Sequence, residues 1–344
     1  MAHVRLSFGS GLNVHTEALV DGTVTPQGIE LVPTVAHPSE LFWRQLRYGE
    51  FDVCEMSLSS LFIAHARGSD LVALPVFPSR RFFHTELDVH VDAGVTEPHL
   101  LAGKRIGVGE YQQTAALWLR AVLEHDFGVS QYDVEWYMER GVEHSHGGAT
   151  GFTPPDGISF HRVPPEKSLA SMLLDRELDA AFVRPNRRTA ATNFIERSQR
   201  QRGGDWSKVA PAFGDGVAEG ARFFAAHGYI PINHAYVVRA DLLRRHPWVA
   251  HNLCAAFLEA KLAGQRRTFE RIPLNLVFRW EYLERTRAAV GEDPFPYGLG
   301  ANRPVLESMV RFSHEQGLIP EVFPVDDLFA ESTRLWSAGG QGTR

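Results

Sequence analysis

The stretch Pro75–His90, PVFPSRRFFHTELDVH, decides how the chain divides. It opens with two prolines, a serine and two arginines, a loop-like composition. Beyond Phe82, Phe83 and His84 it alternates Thr85, Leu87 and Val89 against Glu86, Asp88 and His90, the period of a strand. The spacing predicts a loop leading into a strand. One α/β pattern ends just before it, and a second begins near Leu100. Polar residues on such a crossing can sit in the cleft between two lobes, where ligand sites often lie. Arg80, Arg81 and His84 would bring anion-binding and proton-transfer groups to that cleft.

Upstream, Val4, Leu6 and Phe8 alternate and predict a strand over 4–8. A short helix follows over 12–19, and Ile29, Leu31 and Val32 mark a second strand within 28–35. Pro38-Ser39-Glu40 starts a helix that runs to Tyr48, with proline tolerated in the first turn. Residues 51–56 and 71–76 read as strands on either side of a helix opened by Ser57, Ser59 and Ser60. Strands separated by helices imply a mostly parallel sheet.

Downstream the pattern restarts. Lys104–Val108 reads as a strand, and the turn after it leads into an amphipathic helix over 112–126. Strands are expected at 134–137, 158–163 and 179–183, with a helix at 168–174. The Gly/Pro-rich segment 141–157 reads as a surface loop. Residues 184–215 have weak periodicity and stay unassigned. Tyr229–Val238 (YIPINHAYVV) is the return crossing, and helices follow at 240–245 and 247–269. The remainder is mostly helical, with a break at 291–300. Two α/β lobes, two crossings and a helical C-terminus predict the type II periplasmic-binding-protein architecture. Residues 1–85 and 235–344 would form a discontinuous first lobe and 86–234 the second.

The chain has 344 residues, 44% of them hydrophobic, and a formal net charge of -6. That balance argues against broad nucleic-acid binding, and no run is long and apolar enough for a membrane span. The N-terminal sequence lacks a signal-peptide core, which predicts a cytoplasmic protein. Cys54 and Cys254 are expected to be buried free thiols. The sequence leaves a homo-oligomer open.

Several groups point to chemistry. The turn GVGEYQQT, 107–114, joins a strand to a helix, and amides of Gln112, Gln113 and Thr114 could accept a carboxylate or phosphate. A tight turn with a helix cap explains the same residues. Ser57 offers a weaker anion site at the first lobe's helix start, with Glu55 as a neighbouring proton acceptor or hydrogen-bond partner. His84 is the first candidate for a general acid. His234 and Asn233 lie on the return crossing, where His234 is a structural residue or meets His84 across the cleft. His15, His84, His234 and Glu55 are suitable metal-ligand types, but no local spacing supports a metal. His144 and His146 read as part of a mobile surface loop. No dinucleotide glycine fingerprint, phosphate loop or serine-nucleophile elbow is present.

Four segments, PVFPSRRFFHTE at 75–86, GKRIGVGEYQQTAALWLRAVLEHDFGV at 103–129, YIPINHAYVVR at 229–239 and HEQGL at 314–318, together resemble the 4,5-dihydroxyphthalate decarboxylase family. The resemblance implies non-oxidative removal of one carboxylate from a hydroxylated aromatic dicarboxylate, with no organic cofactor. For that chemistry, which needs an acid and a group that polarises a phenol, His84, His234 and Glu55 are the candidate catalytic groups. Arg80, Arg81, Ser57, Gln112, Gln113, Thr114 and Asn233 would hold the substrate. One departure stands near the N-terminus, where Asn13-Val14-His15-Thr16 replaces the family's Tyr-Asp-Arg-Thr run and puts the identity of the aromatic acid in question. The alternative function is a non-catalytic receptor for a small carboxylate, related to the solute receptors of ABC transporters.

Overall fold

The computed structural model describes residues 3–183, 195–200, 203–271 and 277–338. Eleven strands are assigned within them: β1 (Val4–Ser10), β2 (Ile29–Val35), β3 (Val53–Ser57), β4 (Leu71–Arg80), β5 (Asp88–His90), β6 (Arg105–Val108), β7 (Glu135–Met138), β8 (Ser159–Arg162), β9 (Ala180–Ala181), β10 (Val209–Pro211) and β11 (Ile232–Arg239). They form two sheets, ordered β2-β1-β3-β11-β4 and β10-β5-β9-β6-β7-β8. In the first, β1 pairs in parallel with β2 and β3, and β11 runs antiparallel to β3 and β4. In the second, β6, β7, β8 and β9 are parallel, and β5 runs antiparallel to β9 and β10. The chain leaves the first sheet after Arg80 and re-enters it at Ile232.

The deciding stretch folds differently from its pattern. Pro75 and Pro78 lie inside β4, which continues to Arg80. Proline removes a ladder donor and is tolerated there because β4 is an edge strand. The pairing with β11 slips twice between Ile232 and Tyr236. The alternating half is not one strand. Phe83–Glu86 makes a 3-10 turn, closed by the Thr85 amide on Phe82 O at 3.1 Å, and only Asp88–His90 is extended. The first helix is also shorter than its pattern, Glu17–Val20.

The helices that matter for the cleft start where the sequence signals them. His37 caps Pro38–Tyr48, its Nδ1 accepting from the Ser39 amide at 3.3 Å. Ser57 precedes Leu58–Ala66, and Gln113 precedes Thr114–Phe127. The last helix buries Leu117, Trp118, Leu119, Val122 and Leu123. Each such side chain, fully buried, stabilises the fold by roughly 1.5–3 kcal/mol. Trp118 also donates from Nε1 to Ile232 O at 2.9 Å, tying this helix to the return strand.

The C-terminal segment clasps both lobes. Trp248–Arg271 packs on β4 and on the first helix, while Leu299–Glu315 packs on the helices Leu58–Ala66 and Thr114–Phe127. Gln316, from the HEQGL segment, donates to Leu117 O at 3.0 Å and accepts from Arg120 Nε at 2.8 Å.

One further reading is corrected. Segment 141–157 is not a free surface loop, because it holds a 3-10 turn and the helix His146–Thr150, capped by Ser145. Part of 184–215 lies outside the described residues, and its described end supplies β10. A helix over Gly216–His227, which the sequence did not single out, follows. Cys54 and Cys254 are free and buried. Among the described residues no helix is long and apolar enough to cross a membrane.

Candidate active site

A cavity of about 1390 Å³ opens between the two sheets. Its walls come from the carboxyl ends of parallel strands, where open α/β sheets bind ligands. The segment after β1 supplies Gly11, Leu12 and Asn13, and the end of β3 supplies Glu55 and Ser57. The turn after β6 supplies Gln113, Thr114 and Ala115, and the segment after β7 supplies Arg140. Asn233 and His234 enter from β11, and Arg81 from just beyond β4.

Glu55 and His234 form the central pair. Their carboxylate and imidazole meet at 2.7 Å, Oε1 to Nδ1. The other oxygen of Glu55 accepts the Gly11 amide at 2.8 Å. A Cβ on Gly11 would lie 2.9 Å from that oxygen and 3.1 Å from Cγ of Pro38, so a side chain there would press on the Glu55 carboxylate. Phe42 meets the His234 ring edge-on at 4.7 Å. With Nδ1 engaged by the carboxylate, Nε2 lies on the opposite edge with no partner among the described residues, and the residue lines the cavity.

Two helix starts converge beside this pair. Thr114 Oγ1 lies 2.9 Å from Ser57 Oγ and accepts the Ser59 amide at 3.1 Å. Ser59 Oγ donates to Gln112 O. Neither helix has an acidic residue in its first turn, so both present uncompensated positive ends. Ser57 and Thr114 line the cavity there. The side-chain amides of Gln113 and Asn233 line it too, and neither bonds to a described residue.

Sequence reasoning did not select the second charged group. Arg140 meets Glu110 at 3.1 Å and Glu196 at 2.8 Å, and Glu196 also accepts from Ser39 Oγ at 2.8 Å. Burial works to raise the Glu196 carboxyl, but Arg140 and His37 outweigh it and hold it below the usual range. His146 is sealed in the same wall, 3.0 Å from Ser39 O, rather than in a mobile loop. Burial, then Arg140, keeps its pKa well below the ordinary value. Burial also lowers His37, which lines the cavity. His37 and Arg140 follow the ends of β2 and β7, so the strand-end rule that selected Thr114 could have found them.

Three candidates fall outside the cavity lining. His84 is fully buried between Phe213 and Phe223, at ring distances of 5.1 and 5.3 Å, with Nε2 on Glu219 Oε1 at 3.0 Å. It does not meet His234. Arg80 points behind the sheet and donates to Asn302 Oδ1 and to Pro296 O. Adjacent strand residues face opposite ways, so Arg81 takes the cleft side, paired with Glu86 at 2.5 Å. Gln112 is buried and donates to Ser60 Oγ at 3.2 Å. His15 bonds to Pro78 O at 3.0 Å, and burial lowers its pKa to about 4. Among the described residues, no group of three or more His, Cys, Asp and Glu side chains is arranged to hold a metal ion.

Against this geometry stand the comparisons with known proteins. No family model matches the chain. It is 31% identical over 332 residues to 4,5-dihydroxyphthalate decarboxylase of Comamonas testosteroni, covering 96% of this chain and 97% of that one. It is 38% identical over 183 residues to the Pseudomonas putida enzyme of the same name, covering 53% of this chain and 71% of that one. Among solved structures, the periplasmic aliphatic sulphonate binding protein of Escherichia coli superposes with a TM-score of 0.55 at 13% identity. That match covers 96% of this chain and 99% of the other. A desulfurization enzyme gives a TM-score of 0.50 at 15% identity, covering 95% and 96%. Identities this low establish the fold alone, the two-lobed architecture of periplasmic binding proteins.

Proposed function

The chain belongs to the 4,5-dihydroxyphthalate decarboxylase family, and from that premise we propose that it removes carbon dioxide from 4,5-dihydroxyphthalate or a close hydroxylated analogue. The observation that carries this reading is the Glu55–His234 pair facing a cavity with anion-binding helix starts.

The chemistry needs a proton delivered to carbon. In the dihydroxylated ring, a hydroxyl para to the departing carboxylate feeds electrons to the carbon that bears it. His234, hydrogen-bonded through Nδ1 to Glu55, donates a proton from Nε2 to that carbon. The carbon–carboxylate bond then breaks, carbon dioxide leaves, and the bonding pair restores the aromatic ring. One proton is consumed for each carbon dioxide released, and the neutral imidazole recovers it from solvent. Such proton transfer contributes about 10²–10⁴-fold. Ser57, Gln113, Thr114 and Arg81 hold the carboxylates, and Asn233 binds a ring hydroxyl.

The test is incubation of the purified protein with a panel of hydroxylated aromatic dicarboxylates, following carbon dioxide and aromatic product together. Stoichiometric release supports the reading. Tight binding without release would support the receptor alternative instead. Activity is expected without nicotinamide, flavin or pyridoxal cofactors, and elemental analysis of active protein decides whether a metal accompanies it. The cytoplasmic setting expected from the sequence is tested by cell fractionation.

A further inference from the structure

The Glu55 carboxylate is anchored through its far oxygen. Oε1 meets His234 Nδ1 at 2.7 Å, and among the described residues Oε2 has one donor, the Gly11 amide at 2.8 Å. Where the carboxylate points therefore depends on the backbone of Gly11, the residue that follows β1. That backbone is itself held. Two side-chain hydroxyls converge on the Gly11 carbonyl, Ser10 Oγ at 2.9 Å and Thr16 Oγ1 at 3.0 Å. Ser10 Oγ also lies 2.7 Å from the Tyr236 hydroxyl. A serine hydroxyl has one proton and here gives it to the carbonyl, so Tyr236 is the donor of that second bond. Burial, and after it the Glu55 carboxylate, push the Tyr236 phenol well above its ordinary value, which keeps its proton in place.

Thr16 is diverted from its ordinary task. It stands at the N-cap of the helix Glu17–Val20, where a threonine usually accepts from an amide of the first turn, yet its side chain makes no cap bond. Ser10, Thr16 and Tyr236 are all fully buried, and none of them lines the cavity. Burying hydroxyls costs stability unless each is bonded, and apolar groups of the same shape can replace bonded partners at nearly no cost. What the hydroxyls add to this part of the core is a fixed direction for the Gly11 backbone. We propose that Ser10 and Thr16 are positioning residues for proton transfer. They clamp the Gly11 carbonyl, the Gly11 amide holds Glu55 Oε2, and Glu55 aims the His234 imidazole into the cavity. Tyr236 supports the clamp from behind Ser10. This inference rests on reading Glu55 and His234 as the proton-transfer pair of a decarboxylase.

The binding probe is phthalate, which has both carboxylates and lacks the ring hydroxyls that assist decarboxylation. Thr16→Val keeps the shape and removes the hydroxyl, while Thr16→Ser keeps the hydroxyl and removes the methyl. Small misplacements of a reacting group are expensive, so Thr16→Val and Ser10→Ala should each lower kcat for 4,5-dihydroxyphthalate about tenfold, with the phthalate Kd from calorimetric titration within about threefold. Thr16→Ser is expected to recover most of that loss. A packing role gives the opposite order, with serine worse than valine, and overturns the proposal. So does an equal loss of phthalate affinity and kcat. Proton NMR of the resting protein, carrying isotope-labelled histidine, follows the His234 Nδ1 proton, whose signal is assigned by its absence in His234→Asn. In Thr16→Val and Ser10→Ala that signal should move upfield or be lost to exchange with water. An unchanged signal in the folded variants overturns the clamp whatever the activity. If these variants fail to fold, Tyr236→Phe, which removes only the hydroxyl behind Ser10, decides by the same signal. No carbon dioxide release from the unaltered chain, beside the expected NMR change, would overturn the decarboxylase reading alone. Turnover with unchanged signals would overturn the clamp alone.

Discussion

Nδ1 of His234 lies 2.7 Å from Oε1 of Glu55 on the neighbouring antiparallel strand. His234 stands opposite Ser57 and Glu55 opposite Tyr236, so the two side chains are diagonal neighbours on one face of the sheet. The pairing fixes which imidazole nitrogen faces the cavity, because the carboxylate holds the Nδ1 proton.

His234→Asn keeps a hydrogen-bonding edge toward Glu55 and loses the acid. If carbon protonation limits turnover, kcat should fall about 10²-fold or more, with a smaller change in phthalate affinity. A folded variant with near-normal kcat would remove His234 from the chemistry. Parallel loss of affinity and kcat would make it a ligand-positioning group instead.

His84 is expected to behave in the opposite way. Its contacts are Glu219, Phe213 and Phe223, and none of them reaches the cavity lining. His84→Asn should lower the thermal unfolding temperature while leaving kcat within a few-fold. A loss of kcat near 10²-fold in a variant of unchanged stability would return His84 to the mechanism.

The fold was legible because its strands end in turns and its helices begin with caps, both local signals. Pro38–Tyr48 and Ala240–Arg245 form where the pattern put them. The crossing was harder, since a proline-rich edge strand looks like a loop when its neighbour is unknown. Of the candidate residues, Glu55, Ser57, Arg81, Gln113, Thr114, Asn233 and His234 line the cavity, while Arg80, His84 and Gln112 do not. The difference is side-chain direction, which composition does not encode. Arg80 and Arg81 are identical in type and adjacent in sequence, yet one faces Asn302 and the other the cleft. His146 escaped because glycines around it disguised a capped helix.

The Glu219 carboxyl gives a pH signature. Burial works to raise its pKa, but hydrogen bonds from His84 and Arg222 outweigh that and bring it from 4.5 to about 2. A carboxyl with a depressed folded value adds stability that is fully present above its unfolded value. That stability is lost as the pH falls through the folded one. Urea unfolding of the unaltered chain and of Glu219→Gln should therefore differ most at neutral pH. The gap should shrink between about pH 4.5 and 2. A gap of constant size across that window would show that Glu219 contributes by packing alone.

Gly264 sets two known effects against each other. It lies within the helix Trp248–Arg271, where replacing glycine by alanine ordinarily stabilises by roughly 1 kcal/mol. A Cβ there would stand 1.7 Å from Val14 O, and that carbonyl is backbone, not a side chain that can rotate away. The segment carrying it is tied down by Thr16 Oγ1 on Gly11 O at 3.0 Å and by His15 on Pro78 O at 3.0 Å. Overpacking of this kind costs about 1–3 kcal/mol, so the clash should win. Gly264→Ala is expected to unfold at a lower temperature and to raise KM, because Leu12 and Asn13 of the displaced segment line the cavity. Gly300→Ala is the control. It lies in the helix Leu299–Glu315 with nothing within 4 Å of its Cβ position, and should be neutral or stabilising. Equal stability of the two variants would mean that the helix does not press on Val14 in solution.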